Sequence, residues 1–287
     1  MVQLLEKDIQ TKEVLGWKGL HIFHFAASSC SQKLRIFLNI KGIPWESHHV
    51  DLLHNENLTP YFLGINPRGL VPVLVDDGAV HIESNDILLH LEERFPDPAL
   101  MPIEKRAELE RLLKFEDDLH LDLRTLSFRF MFMPPKPPKS SDDLERYAST
   151  GSGTVNGKHD SHIDREISFW RNYAERGITD TMARDSAKKF FDAFSDVDQR
   201  LTKSPYILGD ALSLIDIAWV VYAERLRLAG YPISRLHPRV SAWLTELGSR
   251  PEFKKEITMP PPLVAAVRER QAETAAKGQT LDAVCFA

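Results

Sequence analysis

Residues 20–94 alternate short apolar runs with helical patterns, and this alternation limits the fold more than any other feature of the 287-residue chain. Apolar runs of about four to eight residues are typical of strands, whereas apolar residues three and four positions apart indicate helices. We predict strands at 20–25, 45–52, 71–75 and 79–82, and longer helices at 31–41 and 84–95. A chain with this order of elements forms a small α/β layer with one mixed sheet.

Nearly everything after residue 104 follows a helical pattern. Helices are predicted at 104–131, 165–178, 182–202, 213–229 and 237–248, with a further amphipathic helix at 263–276. A segment rich in Pro, Ser, Asp and Gly interrupts them and is predicted to be a flexible, exposed insertion. We therefore predict an N-terminal extension (1–19), an α/β domain (20–95), a linker (96–105), an all-α domain (106–260, with the insertion at 133–160) and a C-terminal tail (261–287).

Charge and composition exclude several classes of protein. The formal net charge is −5, which argues against a protein whose main task is to hold nucleic acid. No run approaches the roughly 18 apolar residues of a membrane span, and residues 1–19 lack the pattern of a signal peptide. The two cysteines, Cys30 and Cys285, are read as reduced thiols, so we expect a cytoplasmic protein.

One helix start is specified by its sequence alone. Ser213 occupies the position of an N-cap, and Asp216, three residues later, can reach back to the Ser213 backbone. Leu212 and Ile217 are placed to pack against each other around this turn. We interpret this motif as a folding device in the helical domain and not as a catalytic site.

Three segments of the α/β domain carry polar groups where a ligand can meet the main chain. Ser28 and Cys30 lie between a strand and a helix, where N–H groups and the helix dipole favour a negative charge. Pro72 begins a strand and is a candidate for a cis bond, which would leave the Val71 main chain available to a ligand. Glu83-Ser84 opens the next helix and can hold a carboxylate. Together these segments predict a groove for a peptide-like ligand.

These motifs resemble those of the glutathione transferase superfamily: Ser28-x-Cys-Ser-x-Lys-x-Arg35, Asn66-Pro-Arg-Gly-Leu-Val-Pro-Val-Leu74, Glu83-Ser84-x-x-Ile87 and Ser213-x-x-Asp216. The resemblance implies a thioredoxin-like α/β N-terminal domain, an all-α C-terminal domain, and a homodimer or a heterodimer with a related subunit. It also implies that glutathione lies along the Val71 main chain beside cis-Pro72, with its γ-glutamyl end at Glu83 and Ser84. Arg68 matches a position that contacts glutathione in some members.

Within the superfamily, the chain is similar in outline to tetrachlorohydroquinone dehalogenase-like and β-etherase-type bacterial members. The motif Ser28-Ser-Cys-Ser31, together with Ser249-Arg-Pro-Glu-Phe-Lys254 and Met259-Pro260, carries the likeness to the dehalogenases. In that branch the position matching Cys30 is a cysteine used in reductive chemistry. The resemblance does not choose between cleavage of an aryl ether and loss of a halide.

Ser28 is our first candidate for stabilising the glutathione thiolate. A hydrogen bond to a charged group contributes about 1.5–3 kcal/mol, and a helix N-terminus adds about 0.3–1 kcal/mol. Lowering a thiol pKa by two units requires about 2.7 kcal/mol, so the two effects together suffice. The alternative is that Ser28 is a plain N-cap of the helix that follows.

Cys30 has two functional interpretations and one structural one. Its thiolate can attack the sulfur of a glutathionylated substrate and form a mixed disulfide with glutathione. Its thiol can instead donate a hydrogen bond to the glutathione thiolate. The structural interpretation is a small, buried residue at a helix start.

Residues of the all-α domain are expected to hold the second substrate. We predict an apolar pocket with contributions from Arg124, Phe128, Trp219 and Tyr222, although most aromatic residues of this domain are assigned to the core. No metal site is predicted, because His48 and His49 point to opposite faces of a strand, and His159 and His162 have no partners at ligand spacing.

Taken with the resemblance, these residues predict a glutathione S-transferase of detoxification or aromatic compound catabolism. Its glutathione thiolate would displace a group from a hydrophobic aromatic substrate, by β-aryl ether cleavage or by dehalogenation and reduction. The alternative is a non-catalytic binding subunit or stress regulator that keeps the fold. Glutathione is the expected cofactor, and neither nucleic acid nor a membrane is an expected partner.

Overall fold

The computed structural model describes residues 2–132 and 139–287, which form two compact units. The first unit contains 2–34, 42–94 and 139–177, and the second contains 35–41, 95–132 and 178–287. The sequence prediction divides the chain differently, because it assigns 35–41 to the α/β domain and 139–177, with the predicted insertion, to the all-α domain.

A five-stranded mixed sheet organises the first unit. Its strands are β1 (Val2–Gln3), β2 (Leu20–His24), β3 (Glu46–His49), β4 (Val73–Asp76) and β5 (Ala79–Ile82), in the spatial order β1-β5-β4-β2-β3. The β2–β3 pair is parallel and the other pairs are antiparallel. The mixed sheet predicted from the sequence is therefore confirmed. The sequence analysis did not predict β1, which pairs Val2 with Ile82 and so brings the N-terminal extension onto the sheet.

Three helices follow strands of this sheet: α1 (Ser29–Lys41), α2 (Pro60–Leu63) and α3 (Ser84–Arg94). Short 3-10 helices lie at Glu6–Asp8, Lys12–Gly16, Leu52–His54 and Glu56–Leu58. Phe23, Phe62, Val73 and Val75 are buried together in the core of the unit. Apolar burial at about 25 cal/mol per Å² is the main stabilising contribution here, so the ends of β2 and β4 are fixed in place.

Residues 139–177 add a small layer to the same unit. It contains α6 (Ser141–Ser149), the hairpin β6 (Thr154–Val155) and β7 (Lys158–His159), and α7 (Ser161–Arg176). Tyr147 and Ile163 pack with Leu58 and Leu63 in one buried cluster. The sequence prediction of a flexible insertion spans 133–160, of which 133–138 lie outside the described residues, and the described part forms a helix and a hairpin.

Asp8 holds the hairpin to the N-terminal segment. Its buried carboxylate accepts a hydrogen bond from Thr154 Oγ1 at 2.7 Å and another from the Gly157 N–H at 2.9 Å. A hydrogen bond to a charged group contributes about 1.5–3 kcal/mol. A short, polar segment that has few apolar residues of its own thus gains its order from residues nearly 150 positions away.

Helices make up the second unit: α4 (Arg106–Asp118), α5 (His120–Phe130), α8 (Asp180–Arg200), α9 (Leu214–Leu228), α10 (Ile233–Leu236), α11 (Pro238–Ser249), α12 (Pro251–Ile257), α13 (Pro261–Ala276) and α14 (Leu281–Cys285). A 3-10 turn at Ile103–Lys105 precedes α4. The apolar helix α9 is buried along most of its length. The predicted helical pattern is confirmed, including the helix near the C-terminus.

The predicted turn at the start of α9 is present. Asp216 Oδ2 accepts hydrogen bonds from the Ser213 N–H at 2.9 Å and the Ser213 hydroxyl at 2.7 Å, and Oδ1 accepts one from the Ile207 N–H at 2.9 Å. Burial raises the pKa of Asp216 to about 6, even though these three donors oppose the rise. The buried Ser213–Asp216 motif therefore stabilises the turn formed by residues 207–216.

Residues 35–41, the C-terminal part of α1, belong to the second unit and are held in it by polar groups. The side chains of Arg35 and Glu256 are 8% exposed each, and Arg35 Nε lies 2.5 Å from Glu256 Oε2. Asn39 Nδ2 donates to Glu256 Oε1 at 3.0 Å, and Lys41 Nζ donates to the Phe95 carbonyl at 2.7 Å. These bonds explain why 35–41 group with the helical residues. Among the described residues, no helix has the length and hydropathy needed to cross a bilayer.

Candidate active site

The loop between β2 and α1 places Ser28 at the helix N-terminus. Ser28 Oγ accepts a hydrogen bond from the Ser31 N–H at 3.3 Å, and the Ser28 carbonyl accepts one from the Gln32 N–H at 2.9 Å. Ser28 is therefore the N-cap of α1, the structural role that the sequence analysis gave as the alternative to stabilising a thiolate. A hydroxyl that accepts one hydrogen bond keeps its own proton to donate, so capping and donation to a bound thiolate are compatible.

Cys30 lies in the first turn of α1, close to the positive end of the helix dipole. It is half-buried and is not part of a disulfide. Cys285, in α14, differs in its surroundings: burial raises the pKa of its thiol to about 11. Of the two cysteines, Cys30 thus has the position that favours a thiolate.

The Val71–Pro72 peptide bond is cis, which confirms the expectation from the sequence. Two amide side chains fix the loop before it: Asn57 Nδ2 donates to the Gly69 carbonyl at 2.7 Å, and Asn66 Nδ2 donates to the Leu70 carbonyl at 2.8 Å. Gly69 adopts a φ of 60°, and a Cβ there would lie 3.2 Å from the Asn57 carbonyl oxygen. The Val71 main chain follows directly and lies outside the ladder of β4, which begins at Val73.

A charged cluster forms at the start of α3. Glu83 has a φ of 69°, and the buried Ser84 is the first residue of the helix. Arg68 Nη1 lies 2.5 Å from Glu83 Oε1, and Arg68 Nε lies 2.5 Å from Asp160 Oδ2. Three of the predicted glutathione-binding residues, Arg68, Glu83 and Ser84, are thus grouped together. Asp160 completes this cluster from the segment 139–177.

Asp160 owes its position to two neighbours. It is the N-cap of α7 and accepts a hydrogen bond from the His162 N–H at 3.2 Å. Burial raises its pKa, but the hydrogen bonds from Arg68 and His162 outweigh burial and hold the pKa below its ordinary value. Tyr147 Oη also donates to the Arg68 carbonyl at 2.7 Å. The carboxylate is therefore charged at neutral pH and fixed beside the guanidinium.

A buried amine connects the two helix starts of this unit. Lys33, in α1, has no exposed surface, and its Nζ lies 3.5 Å from Asn85 Oδ1, in the first turn of α3. A buried cation keeps its charge only when polar groups surround it. This contact holds the N-termini of α1 and α3, which carry Ser28 and Ser84, in a fixed relation.

The predicted substrate-binding residues divide into two pairs. Arg124 and Phe128 lie one turn apart on α5 and are half-buried. Trp219 and Tyr222 are 2% and 0% exposed, and Tyr222 Oη lies 3.0 Å from His120 Nδ1. Trp219 and Tyr222 are packed within the helical unit, where α9 contacts α4, α5 and α11. Contact of any of these four residues with a substrate stays a prediction.

Comparisons with known proteins agree with this architecture. Residues 27–94 match the family described as "Glutathione S-transferase, N-terminal domain", and residues 162–246 match "Glutathione S-transferase, C-terminal domain". These matches cover more than half of the chain. The chain belongs to the glutathione transferase superfamily, and it contains both domains of that fold.

Two relatives and one solved structure show which members of the superfamily this chain is similar to. Glutathione S-transferase 1 of Dianthus caryophyllus is 44% identical over 90 residues, a match that covers 31% of this chain and 41% of that protein. Protein LigF of a Sphingobium strain is 27% identical over 252 residues, covering 82% of this chain and 92% of the relative. The crystal structure of β-etherase LigF from Sphingobium sp. strain SYK-6 superposes with a TM-score of 0.69 over 83% of this chain and 98% of that chain.

Sequence reasoning missed Asp160, because nothing in the local pattern says that it meets Arg68, 92 positions earlier. A weak signal exists, since Asp160 precedes a helical pattern and fits an N-cap. The burial of Lys33 depends on contacts that the sequence does not show.

Proposed function

We propose that the protein is a glutathione transferase that uses the thiolate of glutathione to displace a group from a hydrophobic aromatic substrate. The observation that carries this proposal is the N-terminus of α1, where the Ser28 hydroxyl meets the positive end of a helix dipole. The Val71 main chain, the cis-Pro72 bond and the cluster at Ser84 lie in the same unit and suit a short peptide.

Glutathione is a tripeptide with a charged γ-glutamyl end, and the cluster at α3 matches those charges. In this proposal, Ser84 and the first N–H groups of α3 hold the carboxylate of the γ-glutamyl end. Glu83 and Asp160 face its ammonium group, and Arg68 keeps the two carboxylates in place. The Val71 main chain pairs with the backbone of glutathione, which directs its sulfur towards Ser28.

The chemical step is a nucleophilic displacement. The glutathione sulfur attacks an electrophilic carbon of the substrate, a C–S bond forms, and the bond to the leaving group breaks. For a β-aryl ether the leaving group is an aryloxide, which takes a proton from water after it departs. The similarity to LigF over most of the chain supports this substrate class, because the solved structure of that relative is described as a β-etherase.

A second candidate is dehalogenation with reduction, and Cys30 is the observation that favours it. Here the glutathione thiolate displaces a halide, and the Cys30 thiolate then attacks the sulfur of the conjugate. The aromatic carbon takes a proton, and Cys30 is left in a mixed disulfide with glutathione. A second glutathione releases oxidised glutathione and restores Cys30, so glutathione is the reductant.

Location and assembly are part of the same proposal. A cytoplasmic enzyme has access to reduced glutathione, and two cysteines outside any disulfide fit that compartment. A homodimer, or a heterodimer with a related subunit, is inferred from the family resemblance. A non-catalytic binding subunit with the same fold is the alternative, and it requires no ionised thiol at Ser28.

One experiment tests the proposal at its centre. The pKa of protein-bound glutathione is measured by the ultraviolet absorbance of its thiolate, in the native protein and in Ser28→Ala. Loss of a hydrogen bond worth about 1.5–3 kcal/mol raises this pKa by about one to two units. Cys30→Ser is the matched variant in the same turn and leaves the thiol pKa near its native value if Cys30 acts only in reduction.

Product analysis then separates the two reactions. An aryl ether with a fluorescent aryloxide and a halogenated hydroquinone are offered with glutathione, and the products are identified by mass spectrometry. Aryloxide release that survives Cys30→Ser supports ether cleavage, whereas formation of oxidised glutathione that requires Cys30 supports reduction. Failure to bind glutathione at millimolar concentration would refute the proposed function altogether.

A further inference from the structure

Two histidines and a glutamate from neighbouring strands meet on one face of the sheet. In the parallel register of β2 and β3, His21 lies opposite Glu46 and Phe23 lies opposite His48, so these side chains share a face. His21 Nδ1 lies 3.1 Å from His48 Nε2 and 3.3 Å from Glu46 Oε2. Among the described residues, this is the one group of three such side chains whose ligand atoms all lie within 4.8 Å of one another.

The spacing matches that of a tetrahedral metal ion. Zinc binds histidine nitrogen and carboxylate oxygen at about 2.0–2.2 Å, which places two ligand atoms of a tetrahedron about 3.3 Å apart. The two measured distances lie close to that value. Two imidazoles and one carboxylate are also the ligands that zinc takes when a fourth position stays open to water.

A hydrogen bond to the backbone orients the His21 ring for coordination. Its Nε2 lies 2.9 Å from the Lys18 carbonyl oxygen, which can only accept a hydrogen bond. The proton of neutral His21 is therefore on Nε2, and the lone pair of Nδ1 points at the group. A ligating histidine whose other N–H donates to a backbone carbonyl is a recurring feature of metal sites, because this bond fixes the ring.

Surrounding groups hold the two imidazole rings in place. Trp17 stacks on His48 with ring centroids 4.8 Å apart, and it also contacts His21 at 4.6 Å. Glu46 is 72% exposed, which leaves a path for an ion and for water.

We propose that His21, Glu46 and His48 form a binding site for one divalent transition-metal ion of the zinc type. The site includes His21, the second residue of β2, whereas Ser28 lies four residues after that strand ends at His24, so the site is separate from the candidate active site. Bound there, the ion joins β2 to the edge strand β3 and stabilises the α/β unit. Local sequence pattern does not reveal this site, because the partner of His48 comes from a neighbouring strand and not from His49.

Metal titration of the full-length protein tests this site. After treatment with a chelator, Zn²⁺ binding is followed by calorimetry, and Co²⁺ binding by the visible absorption of a tetrahedral complex. We expect one equivalent in the native protein and no binding of Mg²⁺, which prefers oxygen ligands. Zinc also raises the melting temperature of the native protein, since it binds the folded state.

Three variants test whether the bound zinc ion lies at His21, Glu46 and His48. His48→Gln and Glu46→Gln each weaken zinc binding by at least about tenfold. His49→Gln, on the opposite face of the same strand, leaves it unchanged. Glu46 is exposed, so Glu46→Gln remains a valid test even if His48→Gln does not fold. Absence of stoichiometric zinc binding, or an equivalent that persists with native affinity in Glu46→Gln, would overturn the proposal.

Discussion

The hydroxyl of Ser213 offers a direct measure of what the turn before α9 contributes to stability. In Ser213→Ala, Asp216 keeps its two backbone donors and loses the hydroxyl donor at 2.7 Å. At pH 8 the carboxylate is ionised, so the lost bond is charge-assisted and its removal lowers the free energy of unfolding by about 1.5–3 kcal/mol. At pH 5, below the Asp216 pKa of about 6, the bond is neutral and its removal costs about 1 kcal/mol.

Linkage fixes the sign of this difference. The native pKa of Asp216 is raised above its unfolded value of 3.8, so this group stabilises the fold less as pH rises from 3.8 to 6. Ser213→Ala removes a donor that favours the ionised form, raises that pKa further, and therefore extends the loss of stability to higher pH.

Denaturant unfolding at pH 5 and pH 8, followed by tryptophan fluorescence, measures both values. Ser249→Ala removes an exposed hydroxyl that donates to the Glu246 carbonyl and is the matched control, with an expected change within about 0.5 kcal/mol. If Ser213→Ala lowers the free energy of unfolding by the same amount at pH 5 and pH 8, the hydrogen bond does not depend on ionisation of Asp216 and its assignment is refuted. A loss of less than about 0.5 kcal/mol at pH 8 would refute the conclusion that the Ser213 hydroxyl stabilises this turn.

Two further variants probe buried charge and buried histidine by the same unfolding assay. Glu256→Gln breaks the buried ion pair between Arg35 and Glu256, so we expect the free energy of unfolding to fall by about 3–5 kcal/mol. Asp118→Asn breaks the exposed pair with Lys114 and should lower it by less than about 0.5 kcal/mol. Equal effects of the two substitutions would contradict the role of burial. Burial, reinforced by His90, lowers the pKa of His81 to about 4. The fold therefore loses stability as pH falls from 6.5 towards 4, by up to about 3 kcal/mol from this group. His81→Gln should make the free energy of unfolding depend less steeply on pH. If its slope between pH 7 and pH 5 is the same in the variant and the native protein, His81 is not the source of the pH dependence.

Local patterns were the part of the structure that the sequence could predict. The cis bond before Pro72, the turn from Ser213 to Asp216 and the mixed sheet each depend on residues within a few positions, where turn chemistry and apolar spacing are decisive. Helix α1 begins at Ser29, two residues before the predicted start, because Ser28 provides the cap.

Long-range contacts are the part that local patterns do not encode. The pairing of Arg68 with Asp160 joins residues 92 positions apart, and the meeting of His21 with His48 depends on the register of two strands. Segment 139–160 has little apolar surface, so its composition predicts flexibility. Its order comes from Leu58 and Leu63, which complete a cluster with Tyr147, and from the buried carboxylate of Asp8.

The anchoring of the β6–β7 hairpin at Asp8 has a practical consequence for handling this protein. Asp160 follows β7 directly, so the position of the carboxylate that pairs with Arg68 depends on a residue within the first ten of the chain. Trimming the N-terminus past Asp8 in an expression plasmid would release the hairpin and, with it, one wall around Arg68. A shortened protein with poor affinity for glutathione would then report the missing anchor and not a defect in Ser28 or Val71.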